Sequence, residues 1–366
     1  MPRLDSPLQL APVFKPKIWG RADLGPIFSR PQFRACQAKS RSDAAKVPTA
    51  KDHLIGEVWI TDDDATFLNP PLAGMTLGEA AAKYGPELHG KHWNDRRFPI
   101  LAKYIYTSDW LSVQVHPDDR QARAYDPGNR GKCEMWYIVQ SDRRAQILLG
   151  AKPGVTKENL KAAFEKGASR GLLNRFRPKA GEAIYVPPGT VHALGPGLIL
   201  FEVEENSDLT YRLDDFGRVG LDGKPRPLHL EKGLAVTRVN LRTHRDLPRL
   251  QFREPYGSRR YVLACRFFAL EELTLRKRGT FEGGPERAEV LSLLEGEGRM
   301  ETAAGWLGYR AGDTWLIPPA AGDYRLVPRE TTRLLKFYVP DLEKDFRQPL
   351  AKRGVRSARI NQILFD

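Results

Sequence analysis

Two stretches of this 366-residue chain are written on one template, and that repeat limits the fold more than any other feature. Residues 178–194 read Pro-Lys-Ala-Gly-Glu-Ala-Ile-Tyr-Val-Pro-Pro-Gly-Thr-Val-His-Ala-Leu, and residues 309–326 read Tyr-Arg-Ala-Gly-Asp-Thr-Trp-Leu-Ile-Pro-Pro-Ala-Ala-Gly-Asp-Tyr-Arg-Leu. Ala180-Gly181 matches Ala311-Gly312, and Pro187-Pro188 matches Pro318-Pro319. Each copy is a turn, a short apolar strand and a proline pair that cannot donate to a ladder and so closes it. Met135–Gln140 and Leu291–Gly296 resemble each other as strands entering a tight turn ahead of the two copies. The reading is two β units of one design in tandem, 1–245 and 246–366. The boundary falls near 240–258, where Arg242–Arg249 is a polar linker. In this alignment Asp323 stands at His192 and Ala320 at Gly189, so the second copy keeps the fold and lacks the histidine.

The rest of the chain agrees with an all-β class carrying helical insertions. Strand-like runs at His53–Thr61, Pro99–Tyr106, Trp110–Val115, Met135–Val139, Ala145–Leu149, Glu182–Val186, Leu198–Glu204 and Tyr211–Leu213 are separated by Gly, Pro, Asp and Asn, the punctuation of a sandwich or barrel. Helices are expected within about 74–90, after the capping box Thr76-Leu-Gly-Glu79, and within about 155–170, after Thr156. Gln37–Asp52 is polar, basic and without periodicity, and reads as a mobile loop. No run approaches the roughly 20 apolar residues of a membrane span, and the first ten residues hold no secretion-signal core. Cys36, Cys133 and Cys265 are odd in number and far apart, which suits a reducing cytoplasm and no disulfide framework. The net charge of +13 points to anionic partners, yet no nucleic-acid signature accompanies it.

Chemistry concentrates in the first unit. In Leu111-Ser-Val-Gln-Val-His-Pro-Asp-Asp119, Gln114 and His116 alternate with Val113 and Val115 and share one face of a strand. Glu134 heads an apolar strand, and His192 follows the Pro-Pro-Gly turn. Singly, each is an ordinary strand or rim residue. Converging inside one barrel, the four would be a metal site. The tandem Asp118-Asp119 reads as a turn and helix N-cap rather than a catalytic dyad, and His53, His89, His92, His229 and His244 carry no comparable frame. Trp19 and Trp59 read as core or pocket wall.

The spacing from Gly181 to His192 matches the second cupin motif up to its histidine, with Pro196 where that motif usually ends in Asn. Further pieces resemble type I mannose-6-phosphate isomerases in the family's order across residues 15–218. They are Trp19-Gly20, Ile55–Trp59, Phe98–Lys103, Leu111–Asp119, Gly131–Glu134, Pro188–His192 and Ser207–Arg212. The resemblance implies tandem cupin barrels, the first metal-binding and the second degenerate. It also implies a cytoplasmic isomerase, monomeric or homodimeric, that interconverts mannose 6-phosphate and fructose 6-phosphate through an enediolate. It places a Zn2+ ion, or another divalent metal, on Gln114, His116, Glu134 and His192, a catalytic Arg212 at the substrate, and Lys132 and Lys103 along the pocket. Beside the metal, Lys132 is expected to have a depressed pKa and to serve as the acid–base group, with a metal-bound water or a carboxylate such as Glu202 as rivals, and Glu202 is otherwise a substrate-binding residue. The fixed fork of Arg212 suits phosphate or enediolate oxygens. The sequence departs from the family's pattern at Cys133, at Glu202-Val-Glu204 where Glu-Ile-Gln is usual, and in a longer segment between Leu24 and His53. Two alternatives stand beside this reading: a cupin Fe(II) oxygenase, and a non-catalytic sugar-phosphate-binding cupin.

Overall fold

The computed structural model describes residues 3–28, 54–93 and 95–365. The loop expected at Gln37–Asp52, Cys36 and His53 lie outside them. The molecule is mostly β and is built in layers. The first half folds into a six-stranded sheet in the order Val13–Arg21, Ile55–Trp59, Ile100–Tyr106, Leu198–Glu205, Glu134–Ser141, Ala183–Val186, and a five-stranded sheet in the order Tyr211–Asp214, Val113–Val115, His192–Leu194, Ile147–Ala151, Leu173–Phe176. Trp136, Ile138, Ile184 and Leu200 of the first sheet pack against Ile147, Leu149 and Leu194 of the second. Helices Lys157–Glu165 and Leu230–Val236 cover the outer face of the five-stranded sheet through Leu160, Phe164 and Val236.

The second half repeats the scheme. An eight-stranded sheet carries the order Ala269–Leu275, Thr332–Tyr338, Glu289–Glu295, Thr314–Ile317, and a four-stranded sheet faces it across Leu291, Leu334, Met300 and Leu326. The two large sheets share the main core, where Phe201 meets Phe337 with ring centroids 5.6 Å apart and Tyr104 hydrogen-bonds Ser292 at 2.7 Å. Period-two alternation decides this sorting. Along Leu198–Glu205, Ile199, Phe201 and Val203 turn to the shared core, while Leu200 and the carboxylates of 202 and 204 turn inside the first half.

Three capping boxes fix helix starts: Thr76 with Glu79, Thr156 with Asn159, and Asp118 with Gln121, the last giving Asp118 the N-cap role expected of it. Other readings need correction. Arg242–Arg249 is irregular apart from one bridge, in which His244 O accepts from Tyr185 N at 2.9 Å, and Leu250–Glu254 after it is a strand. Strand Leu8–Leu10 leaves the first half to pair with Thr314–Ile317. The repeat alignment shifts by one residue. Glu134 pairs with Val186 and Glu289 with Ile317, each directly before its proline pair, so Glu289 rather than Val290 answers to Glu134. Likewise Tyr324 begins its strand as His192 begins its own, and the hydroxyl of Tyr324 donates to Glu289 at 2.7 Å. Asp323 instead accepts from Gly283 N in the turn. The cause is the turn itself: Gly189 holds a positive φ of 86° in the first copy, whereas Pro319–Ala321 forms a 3-10 turn that delays the left-handed residue to Gly322.

Candidate metal centre and its pocket

The sheet brings Gln114 opposite His192, and Glu134 reaches them from the facing sheet. His192 Nε2 lies 3.2 Å from one Glu134 oxygen and His116 Nε2 lies 3.6 Å from the other. All three residues are buried. His116 Nδ1 is 2.9 Å from Leu209 O and His192 Nδ1 is 2.9 Å from Thr190 O, contacts that assign the ring proton to Nδ1 and leave each Nε2 a bare lone pair. Burial, then the nearby Lys132 ammonium, holds His116 well below the usual imidazole range, and burial pushes His192 down to about 4. The bare nitrogen lone pairs and the carboxylate oxygens face one another and repel unless a proton or a cation lies between them.

A cation between them removes that repulsion. Ligand atoms at 2.0–2.2 Å from a tetrahedral centre stand roughly 3.3–3.6 Å apart, the spacing seen here. Gln114 Nε2 donates to His192 Nε2 at 3.1 Å, and rotating that amide presents its oxygen as a fourth donor. The charges agree too. Lys103 and Lys132 stand among Glu134, Glu202, Glu204 and Asp208, and burial pushes the Glu204 carboxyl well above its ordinary value. Burial, then the like charge of Glu202, pushes Glu134 up to about 7. A bound dication offsets both penalties. The donor set therefore fits a divalent metal.

Lys132 sits among carboxylates. Its Nζ lies 2.8 Å from Glu204, 3.2 Å from Glu134 and 3.7 Å from Glu202. Burial alone would lower its pKa, but Glu204 foremost, with Glu134 and Glu202, outweighs burial and the like charge of Lys103 and holds the ammonium above its ordinary value. Lys103 is held up in the same way, 3.0 Å from Glu202 and 3.1 Å from Glu204. Glu202 also accepts from Trp136 Nε1 at 2.7 Å, and although burial opposes it, the two lysines keep its carboxyl well below the usual range.

A cavity of about 580 Å³ opens over this group, lined by Gln114, Lys132, Lys103, Glu202 and Arg212 among others. Every residue singled out in the sequence thus gathers in one place. Arg212 sits opposite Gln114 in the sheet, and its Nη1 donates to Pro227 O at 2.9 Å. Several residues went unforeseen. Glu204 was noted only as a departure from the family's wording, although its two-residue spacing from Glu202 already puts both on one face. Lys17 and Glu57 line the cavity 3.2 Å apart, and Arg226 enters from the 215–228 segment; Glu57 falls within the quoted Ile55–Trp59 piece, while nothing local marks Lys17 or Arg226. His229, assigned no role, accepts from Arg212 N at 3.1 Å through Nδ1. Cys133 donates to Tyr185 OH at 3.1 Å, and burial pushes its thiol up, so it adds no charge.

Residues 8–163 match the family model described as phosphomannose isomerase type I, catalytic domain. The mannose-6-phosphate isomerase ManA of Bacillus subtilis (strain 168) is 32% identical over 324 residues, 87% of this chain and 95% of that protein. The mannose-6-phosphate isomerase of Streptococcus mutans is 33% identical over 269 residues, 72% of this chain and 82% of the relative. A crystal structure of mannose 6-phosphate isomerase from Bacillus subtilis superposes with a TM-score of 0.77 at 27% identity, covering 91% of this chain and 100% of the other.

Proposed function

The chain belongs to the type I phosphomannose isomerase family and is an aldose–ketose isomerase of mannose 6-phosphate and fructose 6-phosphate; on that premise we propose that the pocket over His116, Glu134 and His192 is its catalytic centre. The observation that carries the assignment is the pair of buried imidazoles whose Nε2 atoms face the oxygens of one buried carboxylate at 3.2 and 3.6 Å. Gln114, His116, Glu134 and His192 would hold the metal. Zinc suits two imidazoles and a carboxylate, while the amide leaves room for other divalent ions. When bound, the metal supplies Lewis-acid stabilisation of negative charge on the sugar oxygens as the C2 proton leaves.

The remaining tasks fall to side chains. Glu202, ionised and pinned by Trp136 and Lys103, is the base that takes the C2 proton and returns it to C1, and Lys103 offers its ammonium to the sugar hydroxyls beside it. Lys132, kept charged by its carboxylates, acts from Nζ as an acid toward developing oxyanion rather than as a resting base. Arg212 extends a planar fork beside Gln114 toward paired substrate oxygens.

The centre belongs to a cupin barrel spanning 1–245, with 246–366 a degenerate second barrel. The like strand order of the two halves supports this division, although Leu8–Leu10 crosses it. The same reading takes a small sugar phosphate as partner, with neither nucleic acid nor membrane, in a cytoplasmic monomer or homodimer. Among the described residues no helix is long and apolar enough to cross a membrane. Dialysis against chelator should abolish fructose 6-phosphate formation from mannose 6-phosphate, and added zinc should restore it without oxygen. Metal bound without isomerisation would return the oxygenase and binding-protein alternatives.

A further inference from the structure

Three guanidiniums gather where the 215–228 segment meets the cavity wall, and their donors are spent unequally. Arg218 is fully engaged: Nε donates to Asp215 O at 3.1 Å, Nη2 to the Asp215 carboxylate at 2.8 Å, and Nη1 to Trp110 O and to Asp109 at 3.2 Å. Arg226 grips Asp215 with Nε at 2.8 Å and with Nη2, leaving Nη1 without a partner among the described residues. Arg212 spends Nη1 on Pro227 O, directly after Arg226, while its Nε is buried with no hydrogen bond. On the same wall the indole Nε1 of Trp19, a residue only 6% exposed, is also buried and unpartnered. The guanidinium of Arg226 lies 5.1 Å from the Trp19 ring. Asp222, the acidic residue beside them, is turned into its own loop, where it accepts from Lys224 N at 3.0 Å.

Buried donors left unpaired cost free energy, and several unpaired donors on one cavity wall are what an anion would satisfy. Three arginines against Asp215 and Asp109 leave one uncompensated positive charge, with Asp109 touching only the outer, fully spent Arg218, so the excess falls on the cavity side. We propose that Arg226, aimed by Asp215 and assisted by Arg212 and the Trp19 indole N–H, receives the phosphoryl group of the substrate. Arg226 touches substrate, and Asp215 is the positioning residue that fixes its fork. This deepens the isomerase reading and rests on it for the identity of the sugar.

The test is calorimetric binding of fructose 6-phosphate, inorganic phosphate and unphosphorylated mannose to zinc-loaded protein, alongside turnover. Arg226→Gln should weaken fructose 6-phosphate about 10–100-fold, the range of a charge-assisted hydrogen bond, and raise KM more than it lowers kcat. It should leave zinc content and mannose binding as in the wild type. Arg226→Lys should recover part of the loss by restoring charge without the fork, and Asp215→Asn should show the same KM-weighted defect more mildly. Unchanged fructose 6-phosphate affinity in Arg226→Gln would overturn the proposal, as would a loss shared equally by mannose. Wild-type protein holding inorganic phosphate as tightly as fructose 6-phosphate would mark a free-anion site and overturn it as a substrate subsite. Wild-type protein that shows the expected binding pattern but no turnover would sink the isomerase reading and leave the phosphoryl receptor standing.

Discussion

Both halves bury a cluster of charges between their sheets at equivalent places, and the two clusters are wired in opposite senses. Strand pairing sets Lys103 opposite Glu202 in the first half and Glu271 opposite Lys336 in the second, so the cation and the carboxylate have exchanged strands. Glu134 is matched by Glu289, and His192 by Tyr324. The second cluster is closed. Glu289 accepts from Tyr324 at 2.7 Å and Lys336 at 3.0 Å, while Glu271 takes a two-pronged contact from Arg259 at 2.7 and 2.8 Å and a further bond from Tyr338. The first cluster is open: among the described residues the His116 Nε2 lone pair has no donor, and Glu134 meets only the Lys132 ammonium at 3.2 Å. A tyrosine hydroxyl donates, whereas an imidazole already protonated at Nδ1 only accepts. One cluster is finished by its own side chains; the other needs a cation to finish it.

That contrast can be broken by substitution, most severely in the first half. His192→Ala should strip the metal and reduce turnover by more than the roughly 100-fold typical of losing an outer-shell partner, read as metal per chain and fructose 6-phosphate formation. Retained stoichiometric metal would sink the ligand assignment. Lys132→Met should lower turnover about 10²–10⁴-fold while metal content holds, and a near-normal rate would remove Lys132 from the chemistry.

Effects in the second half should fall on stability alone. Burial would by itself raise Glu271, but Arg259 and Lys336 overcome it and hold the carboxyl at about 2. Its folded value lies below its unfolded one near 4.5, so the stabilisation is present above that value and is lost as pH falls through about 2. The difference corresponds to about 3 kcal/mol. Glu271→Gln should therefore cost that order of stability at pH 7, flatten the acid limb of a pH–denaturation series and spare kcat; an unchanged midpoint at pH 7 would show the cluster to be dispensable. Thr156→Ala, at a cap remote from the metal group, should cost about 1 kcal/mol by chemical denaturation and nothing in turnover.

What could be read from the chain alone was whatever depends on short spacings. Alternation along Leu111–Asp119 and Leu198–Glu204, the Thr76, Asp118 and Thr156 caps, and the Pro-Pro-Gly turn before His192 are local rules of backbone geometry, and each candidate ligand was legible through them. Tertiary structure decided what depends on distant partners. It set three carboxylates from two strands around Lys132, and their charge holds its ammonium above the ordinary value. It carried Leu8–Leu10 into the far sheet, moved the repeat's register by one residue through a tighter turn, and brought Lys17 and Arg226 to one wall. Spacing along a strand is a property of the backbone. The electrostatic environment of a buried charge is a sum over neighbours that sequence order does not place.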